Sequence, residues 1–419
     1  MAHKSRRPAG TVTDWQQEIS QLAAKPSVRS AYSWFLSQEP QLSEWQLQLA
    51  RIPAPPFGEQ ARSEWMLERF LQLDLADVHA DDVGNVFGVR PANDGKYVAI
   101  SAHMDTVFPA GTPLNVRQQG TKLYGPGVSD NGAGLVALLA IAGALHSARV
   151  QTSAPVLFIA NVGEEGEGDL RGMRHIFSER RWLESIDCNV VLDGAGNDTV
   201  VAEALGSRRF EVIVRGPGGH SWSDFGAPNP IVVLGRAIAS FAGVPVPASP
   251  KTTFNIGVIR GGTSVNSIPE SASMRVDIRS TSTGEIEAIE AALRRALHRA
   301  IEEETQAAEG RTASHKHLGD LSAEVVAIGN RPGGELASDA HILQVVRAVD
   351  GHLGNVAHVQ RASTDANIPL SLGREAIAIG GGGTGGGAHT LQEWFDCTGR
   401  DLGLRRILLL ILALAGVPA

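Results

Sequence analysis

Five short, mostly apolar runs constrain this chain more than any other feature: Asn85–Val89, Tyr97–Ser101, Val156–Ala160, Val190–Leu192 and Ala376–Ile379. A strand that is apolar on both sides of its pleat must be covered on both faces. Between the second and third runs, Gly132–Leu145 is rich in Ala, Leu and Gly and long enough to be a helix. Strands that alternate with helices in this way predict an α/β sandwich. With 419 residues, 43% of them hydrophobic, the chain is too long for one comfortable core, and two domains are expected.

A different pattern begins near Gly206. Phe210–Val214 and Met274–Ile278 alternate apolar with polar residues, as half-buried antiparallel strands do. Helical stretches over 231–242 and 284–304 and a last strand near 325–328 complete a strand-helix-strand-strand-helix-strand order. This small α+β unit is read as an insertion, because the apolar α/β pattern resumes after the turn Gly329–Gly334. The expected division is therefore residues 1–205 with 333–419 as one domain, and 206–332 as the other.

At the two ends the reading is simpler. Residues 14–52 and 59–73 carry Trp, Leu, Gln and Glu at helical spacing, interrupted by the turn Ile52–Gly58. The first ten residues hold Lys4, Arg6 and Arg7 with no apolar stretch behind them, which reads as a solvated tail and not as a secretory signal. The apolar run Ile407–Val417 is about half the roughly 20 residues that span a bilayer, so it is expected to be a buried helix.

A net charge of −8 argues against nucleic acid as a partner, since that affinity comes from clustered Lys and Arg. Two cysteines, Cys188 and Cys397, are too few for a disulfide framework or a thiolate metal site and fit a reducing, cytoplasmic compartment. A metal would have to be held by His and carboxylates.

Five places offer such groups. His103 and Asp105 lie two apart after an apolar strand, so on extended chain both point the same way; one can ligate while the other orients it. Asp130-Asn131 opens the Ala/Leu helix, where an ordinary N-cap is the competing reading. Glu164-Glu165 ends a buried strand between glycines, so one acid can bind metal while its neighbour handles a proton; a solvated acidic loop is the alternative. Asp193 and His389 each follow a strand or its loop, where a turn Asp and a loop His are equally ordinary. All five sit beyond the carboxyl end of a strand or at the start of the following helix, the edge at which open α/β sheets bind ligands. Two His and three carboxylates converging there match a two-metal site with one bridging carboxylate.

From Ile52-Pro to about Cys397 the chain resembles the metallohydrolase family of aminoacylase, carboxypeptidase G, tripeptidase (peptidase T) and succinyl-diaminopimelate desuccinylase. The resemblance is carried by Asp82-Val-Gly84-Asn85-Val, His103-Met-Asp105-Thr-Val, Gly127-Val-Ser-Asp130-Asn131, Glu164-Glu165, Gly219-His220-Ser221, Gly261-Gly-Thr-Ser-Val-Asn266-Ser-Ile-Pro269, Asp277-Ile-Arg279 and Ala388-His389-Thr390. It implies a zinc-exopeptidase-like α/β/α sandwich with an inserted, ferredoxin-like α+β lid that also makes a homodimer in some members. It implies two divalent metals, zinc with cobalt or manganese as substitutes. His103 and Asp193 would hold one, Glu165 and His389 the other, and Asp130 would bridge them.

The same resemblance makes Glu164 the general base and Asp105 the residue that orients His103, with a cis peptide at Asp130-Asn131. His220 and Asn266 of the lid would stabilise the oxyanion. Arg279 and Arg361 are candidates for a substrate carboxylate; for Arg279 a strand-surface salt bridge is the alternative. The implied activity is amide hydrolysis in a small peptide or acyl amino acid. Asp at position 193 leans toward a di- or tripeptide aminopeptidase, with an N-acyl amino acid amidohydrolase or carboxypeptidase as the nearest rival and a non-catalytic binding protein as a distant one. Gly132 stands where relatives often have Lys. Trp222 and Phe225 either narrow a pocket or pack a hinge.

Overall fold

The structure is a computed structural model that describes residues 12–92, 95–311 and 319–418. Lys4, Arg6 and Arg7, read above as a solvated tail, lie outside the described residues. The chain separates into two compact units, residues 1–204 with 334–419 and residues 205–333.

The first unit starts with three helices: α1 (Val12–Ala24), α2 (Pro26–Ala50) and α3 (Gln60–Gln72). The helical stretch expected over 14–52 is broken at Lys25, because Pro26 occupies the first helical position, where its missing N–H leaves nothing unsatisfied. There follow β1 (Ala76–Ala80), β2 (Val86–Arg90), β3 (Tyr97–His103), β4 (Arg117–Gln119), β5 (Lys122–Tyr124), α4 (Gly132–Ser147), β6 (Val156–Asn161), α5 (Arg171–Ser178), α6 (Arg180–Ser185), β7 (Ile186–Leu192) and β8 (Thr199–Ala204).

The second unit contains β9 (Gly206–Arg215), β10 (Gly219–His220), α7 (Pro230–Ala242), β11 (Thr252–Gly261), β12 (Ser267–Ile268), β13 (Ser271–Ser280), α8 (Thr283–Arg311) and β14 (Ser322–Arg331). The chain returns to the first unit with β15 (Gly334–Glu335), α9 (His341–Leu353), β16 (His358–Ala362), α10 (Asn367–Ser371), β17 (Glu375–Ile379), β18 (Thr384–Gly386), β19 (Trp394–Asp396) and α11 (Arg400–Ala415).

In the first unit the main sheet runs β1-β2-β6-β3-β7-β17-β8-β15, with β16 also on β8. Strands β6, β3, β7 and β17 are mutually parallel, so their carboxyl ends share one edge. Alternate residues of β3 enter different cores: Val98, Ile100 and Ala102 pack with residues of α1, α2, α4, α9 and α11. Ala99 packs with residues of α5, α6 and α10 on the other face. Covered on both faces, these strands can be apolar throughout. Helix α4 is buried along Gly132–Leu145, which is why it lacks a polar stripe.

Helix α11 is buried from Arg406 through Ala413, as expected for the C-terminal run. Among the described residues no helix is long and apolar enough to cross a membrane. The second unit is an antiparallel sheet in the order β11-β13-β9-β14. Its apolar residues Phe210, Val212, Met274 and Val276 pack against Leu234 and Phe241 of α7 and Leu293 of α8, the βαββαβ arrangement of a ferredoxin-like unit. The fold is the mixed α/β sandwich with an inserted α+β unit that the pattern predicts.

Candidate metal centre

At the carboxyl edge of the sheet, β3 delivers His103, β7 leads into Asp193, and β6 leads into Glu164-Glu165. The glycine-rich segment after β17 carries His389, whose φ is +65°. Helix α4 begins immediately after Asp130, and the Asp130–Asn131 peptide is cis. Asn131 is the N-cap, its Oδ1 accepting from Gly134 N–H at 3.2 Å and from Gly194 N–H at 3.0 Å, while its amide donates to the Leu192 carbonyl at 2.9 Å. Asp130 is left free to enter the cluster. A Cβ at position 134 would stand 2.2 Å from Asn131 Oδ1, and one at position 132 would stand 2.7 Å from the Gly127 carbonyl oxygen. Close backbone packing therefore accounts for Gly132.

Three overlapping donor sets result, each with its ligand atoms within 4.8 Å of one another: His103, Asp130 and Asp193; Asp130, Glu165 and His389; and His103, Glu164 and Glu165. Asp130 belongs to two of them through different oxygens. Its Oδ1 lies 3.2 Å from His103 Nε2, and its Oδ2 lies 3.0 Å from His389 Nε2. Glu165 Oε1 is 3.1 Å from His389 Nε2, and Asp193 Oδ1 is 3.8 Å from His103 Nε2. His103 Nε2 and Asp130 Oδ1 are buried without a hydrogen-bond partner, the condition a bound cation would relieve. Imidazole nitrogens and carboxylate oxygens converging in this way fit divalent metal.

Asp105 is fully buried below the cluster. Its Oδ1 lies 3.5 Å from His103 Nδ1, while its two oxygens accept from the backbone N–H of Glu164 at 2.9 Å and of Glu165 at 2.7 Å. One carboxylate thereby aligns a ligand on β3 with the acidic pair after β6.

Electrostatics reflect the crowding of charge. Burial opposes the charged form of His103, but the carboxylates of Asp105, Asp130 and Asp193 close to its ring outweigh it and raise its pKa. For Asp130, burial raises and the two histidines lower, and the histidines prevail. Burial pushes Glu165 up to about 7 against the pull of His103, with Asp130 adding to the rise. His389 is raised to about 9, chiefly by its hydrogen bond to Asp130.

Four residues not singled out from sequence complete the surroundings. Glu393, buried, accepts from the N–H groups of Gly127, Ser129 and Asp130 at 2.9, 2.7 and 2.8 Å and so shapes the loop that presents Asp130. Arg62, also buried, donates to the Met104 carbonyl at 2.7 Å and the Ile52 carbonyl at 3.0 Å. Asp365 accepts from Asn161 Nδ2 at 2.7 Å, and burial drives its pKa up to about 7.

The remaining expected residues are placed as follows. His220 and Asn266 lie at one short antiparallel ladder of the second unit, where β10 pairs with β12 and the Ser221 N–H donates to the Asn266 carbonyl at 3.0 Å. Trp222 and Phe225 are 88% and 69% exposed. Arg279 donates to Asp277 at 2.6 Å in a strand-surface ion pair, and Arg361 on β16 is ion-paired to Glu203 on β8.

Histidines and acids gathered at the carboxyl edge of a parallel sheet, with one carboxylate shared between two donor sets, define a metal-dependent hydrolase. Residues 99–412 match the model of Peptidase family M20/M25/M40, and the chain belongs to that family. It is accordingly a hydrolase that acts on peptide or other amide bonds. A succinyl-diaminopimelate desuccinylase of Burkholderia multivorans is 27% identical over 267 residues, which are 58% of this chain and 69% of that protein. The fold is shared with the aminopeptidase PepT of Bacillus cereus (TM-score 0.69, 21% identity, 90% of this chain and 98% of that one). It is shared too with the dipeptidase Dug1p of Saccharomyces cerevisiae (TM-score 0.71, 13% identity, 94% and 99%).

Proposed function

We propose that the chain hydrolyses the amide bond of small peptides, preferring di- and tripeptides with a free amino terminus. The observation that carries this reading is Asp130, one carboxylate set between two His-and-acid donor sets with Glu164 beside them. Asp193 in the first set, and solved structures of a tripeptide- and dipeptide-cleaving kind with the same fold, favour the peptide substrate. A specific relative favours a second reading, the removal of an N-acyl group from an amino acid, since it is named a desuccinylase.

His103 and Asp193 would hold one divalent ion and Glu165 and His389 the other, with Asp130 between them; zinc suits the mixed nitrogen and oxygen donors, and cobalt or manganese would substitute. Bound ions supply Lewis acidity that activates water and polarises a carbonyl. The chain's own part is proton transfer and orientation. The Glu164 carboxylate takes a proton from the attacking water and returns it to the leaving nitrogen. Asp105 holds the His103 ring and the Glu164-Glu165 backbone in place. For His220 and Asn266 as oxyanion donors, for Arg361 as a carboxylate contact and for a homodimer through the second unit, the support is the family resemblance. The free cysteines support a reducing, cytoplasmic setting.

Amino-acid release should be measured from a tripeptide and from its N-acetylated form, with zinc-loaded and with chelated protein. Cleavage of the free peptide alone, abolished by chelation, is expected. Cleavage of the acetylated form alone would move the protein to the acylases.

A further inference from the structure

The amino-terminal edge of the main sheet, away from the donor cluster, carries a cavity of ≈ 300 Å³. Asp187 from the start of β7 and Glu375, the first residue of β17, bring carboxylates to it. Trp15 of α1 and His341 of α9 bring rings whose centroids are 5.2 Å apart at 55°. Leu414 adds apolar surface from the end of α11.

These groups are not equally occupied. Glu375 accepts from the N–H groups of His341 and Ile342 at 3.3 and 2.9 Å, which commits it to the first turn of α9. Asp187 is exposed, and no described side chain neutralises it. Trp15 is 5% exposed, and its indole N–H is buried without a partner. An anion would meet two carboxylates, and a purely apolar molecule would strip water from them without compensation. A cation with an aliphatic body meets neither penalty: its charge can lie against the Asp187 carboxylate, and its methylenes can cover Trp15 and Leu414.

We propose that this cavity binds a small aliphatic primary ammonium compound, with Asp187 as the charge partner and Trp15 and Leu414 as the apolar wall. Nothing in the reaction uses these residues, so the site is separate from the hydrolytic centre. Room of this size suits a chain of four to six carbons and excludes a folded peptide.

The test follows the Trp15 indole N–H resonance in ¹⁵N-labelled, full-length, zinc-loaded protein, identified by its loss in Trp15→Phe. Titration with n-butylammonium is expected to give a saturable shift, n-butanol to bind at least about fivefold more weakly, and butyrate to give none. Asp187→Asn should weaken butylammonium about fivefold, the range of an exposed ion pair, while Asp187→Glu keeps it and peptide hydrolysis is unchanged in both. Equal shifts with butanol, no shift with butylammonium, or an unaltered affinity in Asp187→Asn would overturn the proposal. A Lys4→Ala, Arg6→Ala, Arg7→Ala triple variant should bind butylammonium as the parent does. A tenfold tighter affinity would mean that the chain's own basic residues fill the cavity, and would overturn it as well.

Discussion

The carboxylate of Asp105 accepts the backbone N–H of Glu165 at 2.7 Å, so the residue that orients one candidate ligand also fixes the strand end that supplies another. Its other oxygen accepts from Glu164 N–H at 2.9 Å. In Asp105→Asn, one of these acceptors becomes an NH₂ group facing an N–H. Metal affinity, read by competition with a chelator, is expected to fall by about 10–100-fold, the usual effect of removing a residue that orients a ligand. Unchanged affinity would mean that His103 and Glu165 are held in place by other contacts.

Glu164 is expected to behave differently from the ligands. Replacing it with Ala should leave two metals per chain by elemental analysis and lower kcat by about 10²–10⁴, the contribution of a positioned proton-transfer group. Near-parental turnover in that protein would remove the general-base assignment. Loss of one metal would instead make Glu164 a ligand, as its place in one donor set with His103 and Glu165 permits.

His220 lies in the second unit and makes no contribution to the donor sets. His220→Ala is therefore expected to retain full metal content and to lose about 10²-fold or more in kcat, the scale of a deleted oxyanion donor. Metal release on that change would contradict the placement of the ligands. An unchanged kcat would leave His220 without a part in the reaction.

Glu393 tests whether the loop before α4 is held from a distance. Its carboxylate accepts three N–H groups in a buried place, and burial keeps its pKa raised. Gln retains the shape but turns an NH₂ toward at least one of those donors, at a loss of about 1–3 kcal/mol per unmet group. Glu393→Gln is expected to lower the unfolding temperature by about 2–4 °C or more and to weaken metal binding through Asp130. A variant with a lower unfolding temperature and parental metal affinity would show that the loop keeps its geometry without this anchor.

How far the sequence reveals all this depends on the range of each interaction. β3, β6, β7 and β17 stand out because both their faces are buried and most of their residues are apolar. β4 escapes notice because Arg117, Gln118 and Gln119 are all exposed, and β8 because half-burial leaves Thr199, Val201 and Glu203 interleaved with Val200, Ala202 and Ala204. His103 and Asp105 were legible as a pair because two-residue spacing on extended chain is local geometry. Glu393 was not, because its partners lie more than 260 residues away and only the folded chain brings them together. Asp365 stands before a short helix among Ser and Thr, where an N-cap is the natural reading; its bond to Asn161 crosses 204 residues. The Arg361–Glu203 ion pair, which crosses 158 residues, is hidden in the same way, whereas Arg279 pairs with Asp277 two residues away, the strand-surface salt bridge that local spacing offers.

Stability of the first unit has its own test in Arg406 and Asp350. Arg406 is 1% exposed and donates through Nε and Nη2 to the two oxygens of Asp350, at 2.6 and 2.9 Å, with a further bond from Nη1 to the Thr199 carbonyl at 3.3 Å. The pair therefore joins α11, α9 and the start of β8. Removing one partner from a buried pair leaves the other charge without compensation, so Arg406→Met is expected to destabilise the unit by about 3–5 kcal/mol. Removing both charges in Arg406→Met/Asp350→Leu should recover much of that loss, because a buried pair returns little more than the desolvation it requires. Asn355 loses a bond in the double variant, since its amide donates to Asp350 Oδ1 at 2.8 Å, and the recovery is expected to fall short by roughly the net worth of one hydrogen bond, about 1 kcal/mol. Denaturant unfolding of the three proteins decides the matter: a double variant less stable than Arg406→Met would mean that the pair stabilises the fold outright.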